Sequence, residues 1–367
     1  IGALFSFPIK IGLLLLGKPH EYNRSPTPTS SSVRELPNMN KSATQFLCLW
    51  RKLSRGNYLE AWSEMLSSEP NNMPLELIEL FGYAPEDKTA TAQAPRSGSS
   101  CPFVKGKCIK QFKSGLVSGA CTLKPSESGP VICCPNRMYA EDYKVLLDVA
   151  IDAFGAGMRL CKKQADAVGD GADVVVFGKR WGKELRLPSR REGGGYFVDW
   201  ILARLGKDRA LEEFVAVELQ TMDTTGSYEA QVHRFLGTGK VLPDKQSNIN
   251  WENVSKRILP QIIFEGHVLR QEKLCKKGMY FICPSPVYSR ILGRLGGNLR
   301  TYHQQPGSLT FRQYDLGNAV PPAKIRALEF KGQLTTTVDQ VALAFTSPSN
   351  LPEPGVYEEA IRASLGA

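Results

Sequence analysis

What this chain of 367 residues lacks narrows its class first. No apolar run is long enough to span a bilayer. The most apolar stretch, Ile1 to Gly17, is interrupted by Pro8 and Lys10, whereas a spanning helix needs about 20 predominantly apolar residues. That stretch also has no basic region in front and no clean small-residue cleavage pattern, which makes it a poor secretory signal. The tight C-x2-C pairs of common zinc ribbons are missing too. Nine cysteines are too few and too unevenly placed for a small disulfide-built secreted domain, and an odd count leaves a thiol over if all pair, so a reducing, cytoplasmic setting is expected. What the chain does have is charge and bulk. A formal charge of +10 favours an anionic partner such as nucleic acid, and a hydrophobic share of 42% is enough for a sizeable core.

Two apolar runs stand out around acidic residues. GGGYFVDWILARL carries Asp199, and FVAVELQTMDTTGSY, from Phe214 to Tyr228, carries Glu218 and Gln220. Both read as buried strands, and the charged segment from Gly206 to Glu213 between them suits antiparallel neighbours. Strand alternation sets Glu218 and Gln220 on one face and Val217 and Leu219 on the other. Asp199 then arrives from the adjacent strand. A surface strand acid and a turn acid are the plain alternative, but carboxylates on a largely buried strand need a partner or a metal. Paired carboxylates can hold a hard divalent cation, which suits metal-assisted phosphodiester hydrolysis. Glu184 is a weaker third candidate. Gln220, an amide, can ligate, orient water or hydrogen-bond a phosphate, and cannot act as a general base.

A second landmark runs from Cys101 to Arg137, CPFVKGKCIKQFKSGLVSGACTLKPSESGPVICCPNR. Cys101, Cys108, Cys121 and Cys134 are separated by six, twelve and twelve residues. The surrounding Gly, Ser, Lys and Pro predict loops with little core of their own. A four-thiolate metal would staple such a unit; scattered free cysteines are the alternative. Cys133 could stand in for Cys134.

The string ELQTMDTTGSY with its upstream Asp, and the cluster opening on CPF and closing on CPNR, resemble the NotI-like family of type II restriction endonucleases, within the restriction-endonuclease-like nuclease superfamily. The resemblance covers, in patches, about the last 290 residues. It implies an α/β fold, a mixed sheet flanked by helices with a small loop-rich metal-binding module built on four cysteines. It also implies catalytic roles for Asp199, Glu218 and Gln220, with magnesium at Asp199 and Glu218, and a structural iron or zinc on Cys101, Cys108, Cys121 and Cys134. The activity implied is sequence-specific cleavage of double-stranded DNA by a homodimer, in a prokaryotic cytoplasm, beside a cognate DNA methyltransferase and with no membrane partner. A less specific repair or mobile-element nuclease, and a non-catalytic DNA-binding protein of the same fold, are the rival readings.

On that frame, residues 1–72 are a poorly matched, partly disordered extension with a helix over 46–66, and Met73 is a possible start. Residues 73–100 are a short helix (75–81) and linker, 101–138 the cysteine module, 139–345 the nuclease core and 346–367 a tail with a terminal helix. Two basic segments are candidate DNA surfaces. One holds Arg186, Arg190 and Arg191 beside the catalytic strand; the other, from Trp251 to Arg300, holds Lys276 and Lys277 among nine basic residues and three Glu.

Overall fold

The computed structural model describes residues 75–125, 129–179, 181, 184–187, 196–222, 224–225, 227–239, 248–297, 299–347, 351 and 353–366. All of them belong to the unit Pro70–Ala367. The extension over residues 1–72, with its expected helix and the start at Met73, lies outside the described residues.

The first described element corrects an expectation. Residues 75–81 do not form a helix; Glu76–Leu80 is a strand, β1. A register shift at Glu79 breaks the alternation, so Leu77 and Leu80, three apart, both point inward and imitate a helical spacing. Glu79 is buried against the Arg137 guanidinium at 2.9 Å and accepts from Thr122 at 2.6 Å. The stretch read as linker instead contains helix α1 (Ala90–Gly98), capped by the Thr89 hydroxyl, which accepts from the Ala92 N–H. Its buried Arg96 donates to the Ala84 and Asp87 carbonyls at 2.7 Å each, anchoring a helix with little apolar surface.

Strands β2 (Ala120–Lys124) and β3 (Val131–Ile132) complete an antiparallel sheet in the order β1-β2-β3. The cysteine segment is therefore not a coreless loop unit. Leu77, Leu80, Leu123, Val131 and Ile132 are all buried, and each such side chain contributes about 1.5–3 kcal/mol by leaving water.

The main sheet is mixed, as expected for an α/β chain. After helix α2 (Ala140–Phe154) come β4 (Arg159–Cys161), β5 (Asp173–Gly178), β6 (Trp200–Leu205) and β7 (Leu211–Leu219). Helix α3 (Glu229–Thr238) follows, then a π-helical turn (Val254–Ile258) that runs into α4 (Leu259–Leu269), with Pro260, which has no N–H to give to the preceding turn, just past the junction. Next are β8 (Met279–Cys283), α5 (Ser285–Leu295), β9 (Ser308–Leu316), β10 (Leu328–Thr337), α6 (Val338–Thr346) and α7 (Val356–Leu365). The seven strands lie in the order β10-β9-β8-β7-β6-β5-β4. β7, β8 and β9 are parallel to one another, and β6 is antiparallel to both β5 and β7.

Alternation along the strands divides the core. Val215, Val217, Leu219, Tyr280 and Ile282 pack towards α2 with Val145, Leu146 and Val149. Ala216, Met279, Phe281 and Phe311 pack towards α4, α5 and α6. Glu218, in step with Ala216, thus belongs to the face that α4 covers.

Candidate active site and cysteine cluster

The two acids meet as the sequence predicts, with one adjustment. β6 and β7 pair antiparallel, Trp200 opposite Val217. Asp199 sits one residue before β6 begins. This placement lets the two acids lock each other's backbone: the Asp199 N–H donates to Glu218 Oε2 at 3.3 Å, and the Leu219 N–H donates to Asp199 Oδ2 at 3.1 Å. Trp200 anchors the turn. Its buried ring lies against Gly178 on β5, where an added Cβ would come within 2.2 Å of the indole, and its indole N–H donates to the Tyr139 hydroxyl.

Asp199 is exposed, whereas Glu218 is only 6% exposed. A mouth backed by a buried carboxylate results. Burial, then the charges of Asp199 and Glu265, push Glu218 up to about 9. Asp199 is raised as well, by desolvation of its carboxyl and then by Glu184; the Leu219 N–H and Lys179 oppose this. The exposed Glu184 is therefore close enough to Asp199 to repel it.

Two participants escaped the sequence reading. From α4, the Gln261 side-chain amide donates to Glu218 Oε1 at 2.8 Å and to Glu265 Oε1 at 3.0 Å. Glu265 is 2% exposed, its other carboxyl oxygen has no hydrogen-bond partner, and burial and Asp199 raise it to about 7. A signal was present: one acid four residues after a glutamine inside the apolar run LPQIIFEGHVL. The next residue, Gly266, lets α4 approach α6, since a Cβ there would lie 2.3 Å from Val338 Cγ2.

The remaining candidates lie in different places. Gln220 follows β7, its N–H donating to the Ile282 carbonyl at 2.9 Å. Its side-chain amide turns to the Thr221 carbonyl, not to either acid. Lys276 and Lys277 lie at the far end of β7, where the Phe214 N–H bonds the Leu274 carbonyl. Phe214 is four residues from Glu218, about 13 Å at strand rise. Lys277 donates to the Ala153 carbonyl at the end of α2. Arg186 lies on a two-residue strand (Arg186–Leu187) paired with Tyr196–Phe197; its side chain, like the whole of Arg190 and Arg191, lies outside the described residues.

In the cysteine region, Cys101, Cys121 and Cys134 are buried and Cys108 is half-buried. The four thiols feel one another. The hydrogen bond from the Cys121 thiol pulls Cys134 down to about 6, helped by Lys110 and the N–H groups of Asn136 and Arg137, while the same bond and burial raise Cys121. Cys108 and Cys101 each respond to Cys134 as well. Cys133 turns away: its thiol donates to the Ala120 carbonyl and packs into the helix-covered core. Cys161 lies elsewhere, beside Asp173 on the main sheet. Among the described residues no three Cys, His, Asp or Glu side chains converge on one metal position. Their chemistry still sorts by hardness, buried thiols in one place and carboxylates in the other.

No protein-family model matches the chain, and no curated protein shows significant similarity to it. Among the described residues no helix is long and apolar enough to cross a membrane.

Proposed function

We propose that the chain is a divalent-metal-dependent double-strand DNA endonuclease of restriction type with a restriction-endonuclease-like core. The observation that supports this most is the pair Asp199 and Glu218, delivered by adjacent antiparallel strands and interlocked through each other's backbone at an open edge. Lys179 offsets part of the charge at Asp199, no basic side chain acts on Glu218, and each carboxylate is pushed towards holding a proton. They fit a hard cation such as magnesium, which when bound would neutralise charge on a scissile phosphate and lower the pKa of a water. Glu218 and Asp199 hold the site, Gln261 orients Glu218, and Gln220 contributes as a polar neighbour at the end of β7. The overall charge of +10 suits a polyanionic substrate. Cutting both strands of a palindrome requires a two-fold homodimer, and a restriction role requires a cognate methyltransferase to protect the host. Cys101, Cys108, Cys121 and Cys134 fit a soft structural metal, iron or zinc, by donor type, and Cys134 acts on each of the other three.

The experiment is digestion of genomic DNA with magnesium, followed by sequencing of the ends. Discrete fragments with one shared motif support the proposal. A smear points to a less specific repair nuclease, and intact DNA that is nonetheless bound points to a non-catalytic binding protein.

A further inference from the structure

Glu265 has no evident structural reason to be charged. It lies one helical turn beyond Gln261 on α4, 2% exposed, with one carboxyl oxygen unpartnered. A glutamine or leucine would suit that position better if packing were its only role, because a buried charge without a countercharge is costly. Its geometry relates it to the acids instead. One amide nitrogen, Gln261 Nε2, is shared between Glu218 Oε1 and Glu265 Oε1. A neutral donor serves one oxygen of each carboxylate and supplies no positive charge to either.

Building on the reading of Asp199 and Glu218 as cation ligands, we propose that Glu265 is a positioning residue of that cation site. Through Gln261 it fixes the Glu218 carboxylate, and its own charge adds to the field that draws a divalent cation to the mouth. Partners one step removed from the ligands commonly set metal affinity in this way.

The test is calorimetric titration of the full chain with Mn2+ and no DNA, together with melting in EDTA. Glu265→Gln keeps the shape and removes the charge. The expected result is Mn2+ affinity weaker by roughly 10–100-fold and a cation-free melting temperature higher than that of the unsubstituted chain, since a buried repulsion has gone. A purely structural Glu265 gives the reverse pair, unchanged affinity and a lower melting temperature, and overturns the proposal. Gln261→Leu should also weaken Mn2+ binding. If Glu265→Gln does not fold, Glu265→Asp decides, since it keeps the charge but cannot reach Gln261: weaker Mn2+ binding supports the proposal and unchanged binding overturns it. Glu218→Gln separates the two claims. If it leaves Mn2+ binding intact, the cation site itself is wrong; if it abolishes binding while Glu265→Gln has no effect, only the role of Glu265 is wrong.

Discussion

The acidic edge and the cysteine cluster both gather ionisable groups out of water, and they balance charge differently. At the edge, burial and neighbouring carboxylates raise all three acids, Asp199 acting on Glu218 and Glu265 and Glu265 on Glu218, and the groups that oppose this are backbone N–H groups, one amide and, at Asp199, Lys179. In the cluster, the Cys134 thiol is pulled down by the Cys121 thiol, Lys110 and two N–H groups. The first arrangement stores repulsion that a cation can relieve. The second already carries part of its own compensation and rests on a sheet with its own buried leucines. The acidic edge should therefore depend on its cation for activity, whereas the cysteine region should keep much of its fold without a metal.

The largest expected effect is at the edge. Asp199→Asn and Glu218→Gln should each lower magnesium-dependent cleavage to below about one-thousandth, because a bound metal supplies several kcal/mol of transition-state stabilisation. Specific DNA binding should stay within about tenfold, as neither residue is expected to contact bases. Gel-shift and cleavage assays on one preparation check both halves; near-normal cutting by either variant removes the assignment.

Next comes the cluster. The purified chain should carry one iron or zinc, measured by elemental analysis after magnesium is removed. Serine at Cys101, Cys108, Cys121 or Cys134 should remove that metal, while Cys133→Ser and Cys161→Ser should retain it, since those thiols face Ala120 and Asp173. Because Leu77, Leu123 and Ile132 form a core there, circular dichroism of the four variants should show the strands largely kept. Retention of metal by Cys134→Ser with loss in Cys133→Ser would exchange the two ligands.

The sequence made the strands visible where a short apolar run was bounded by charged or turn residues, as along β6 and β7, and so placed Asp199 beside Glu218. It misled at Leu75 to Phe81, where the bulge at Glu79 turned a two-residue period into an apparent three. It marked Gln261 and Glu265 only as polar residues in an apolar run, because their role depends on which turn of α4 lies over Glu218, a packing fact that a single helix pattern does not carry. α5 also went unread, although SPVYSRILGRL carries Val287, Ile291 and Leu295 at helical spacing and Pro286 in its first turn.

A smaller effect concerns pH in the absence of cation. Glu218 is raised from an ordinary 4.5 to about 9 in the folded chain. Between those values the folded state holds a proton that the unfolded state has released, so this contribution is fully present below about pH 4.5 and is lost as pH rises towards 9. Melting in EDTA should therefore fall from about pH 5 to about pH 9. Added Mn2+ should flatten the decline, and so should Glu218→Gln. A melting temperature that rises over this range contradicts the crowding.

The smallest effect separates the basic residues by place. Lys179 is exposed and near enough to Asp199 to lower its pKa, which sets it at the mouth, whereas Lys276 and Lys277 sit beyond Phe214 at the other end of β7. If the DNA backbone crosses the acidic edge, Lys179→Gln should weaken binding to all sequences alike and reduce the slope of log affinity against log salt by about 0.9, the share of one phosphate contact. Lys276→Gln should leave that slope unchanged. Lys277→Gln should do so too while costing about 1 kcal/mol or less of stability, because its ammonium caps the Ala153 carbonyl at the end of α2. Salt titrations of the three variants at one duplex decide between the two surfaces. A slope that falls in Lys276→Gln and holds in Lys179→Gln would place the DNA at the end of the sheet away from Asp199 and Glu218, which is incompatible with their acting on it.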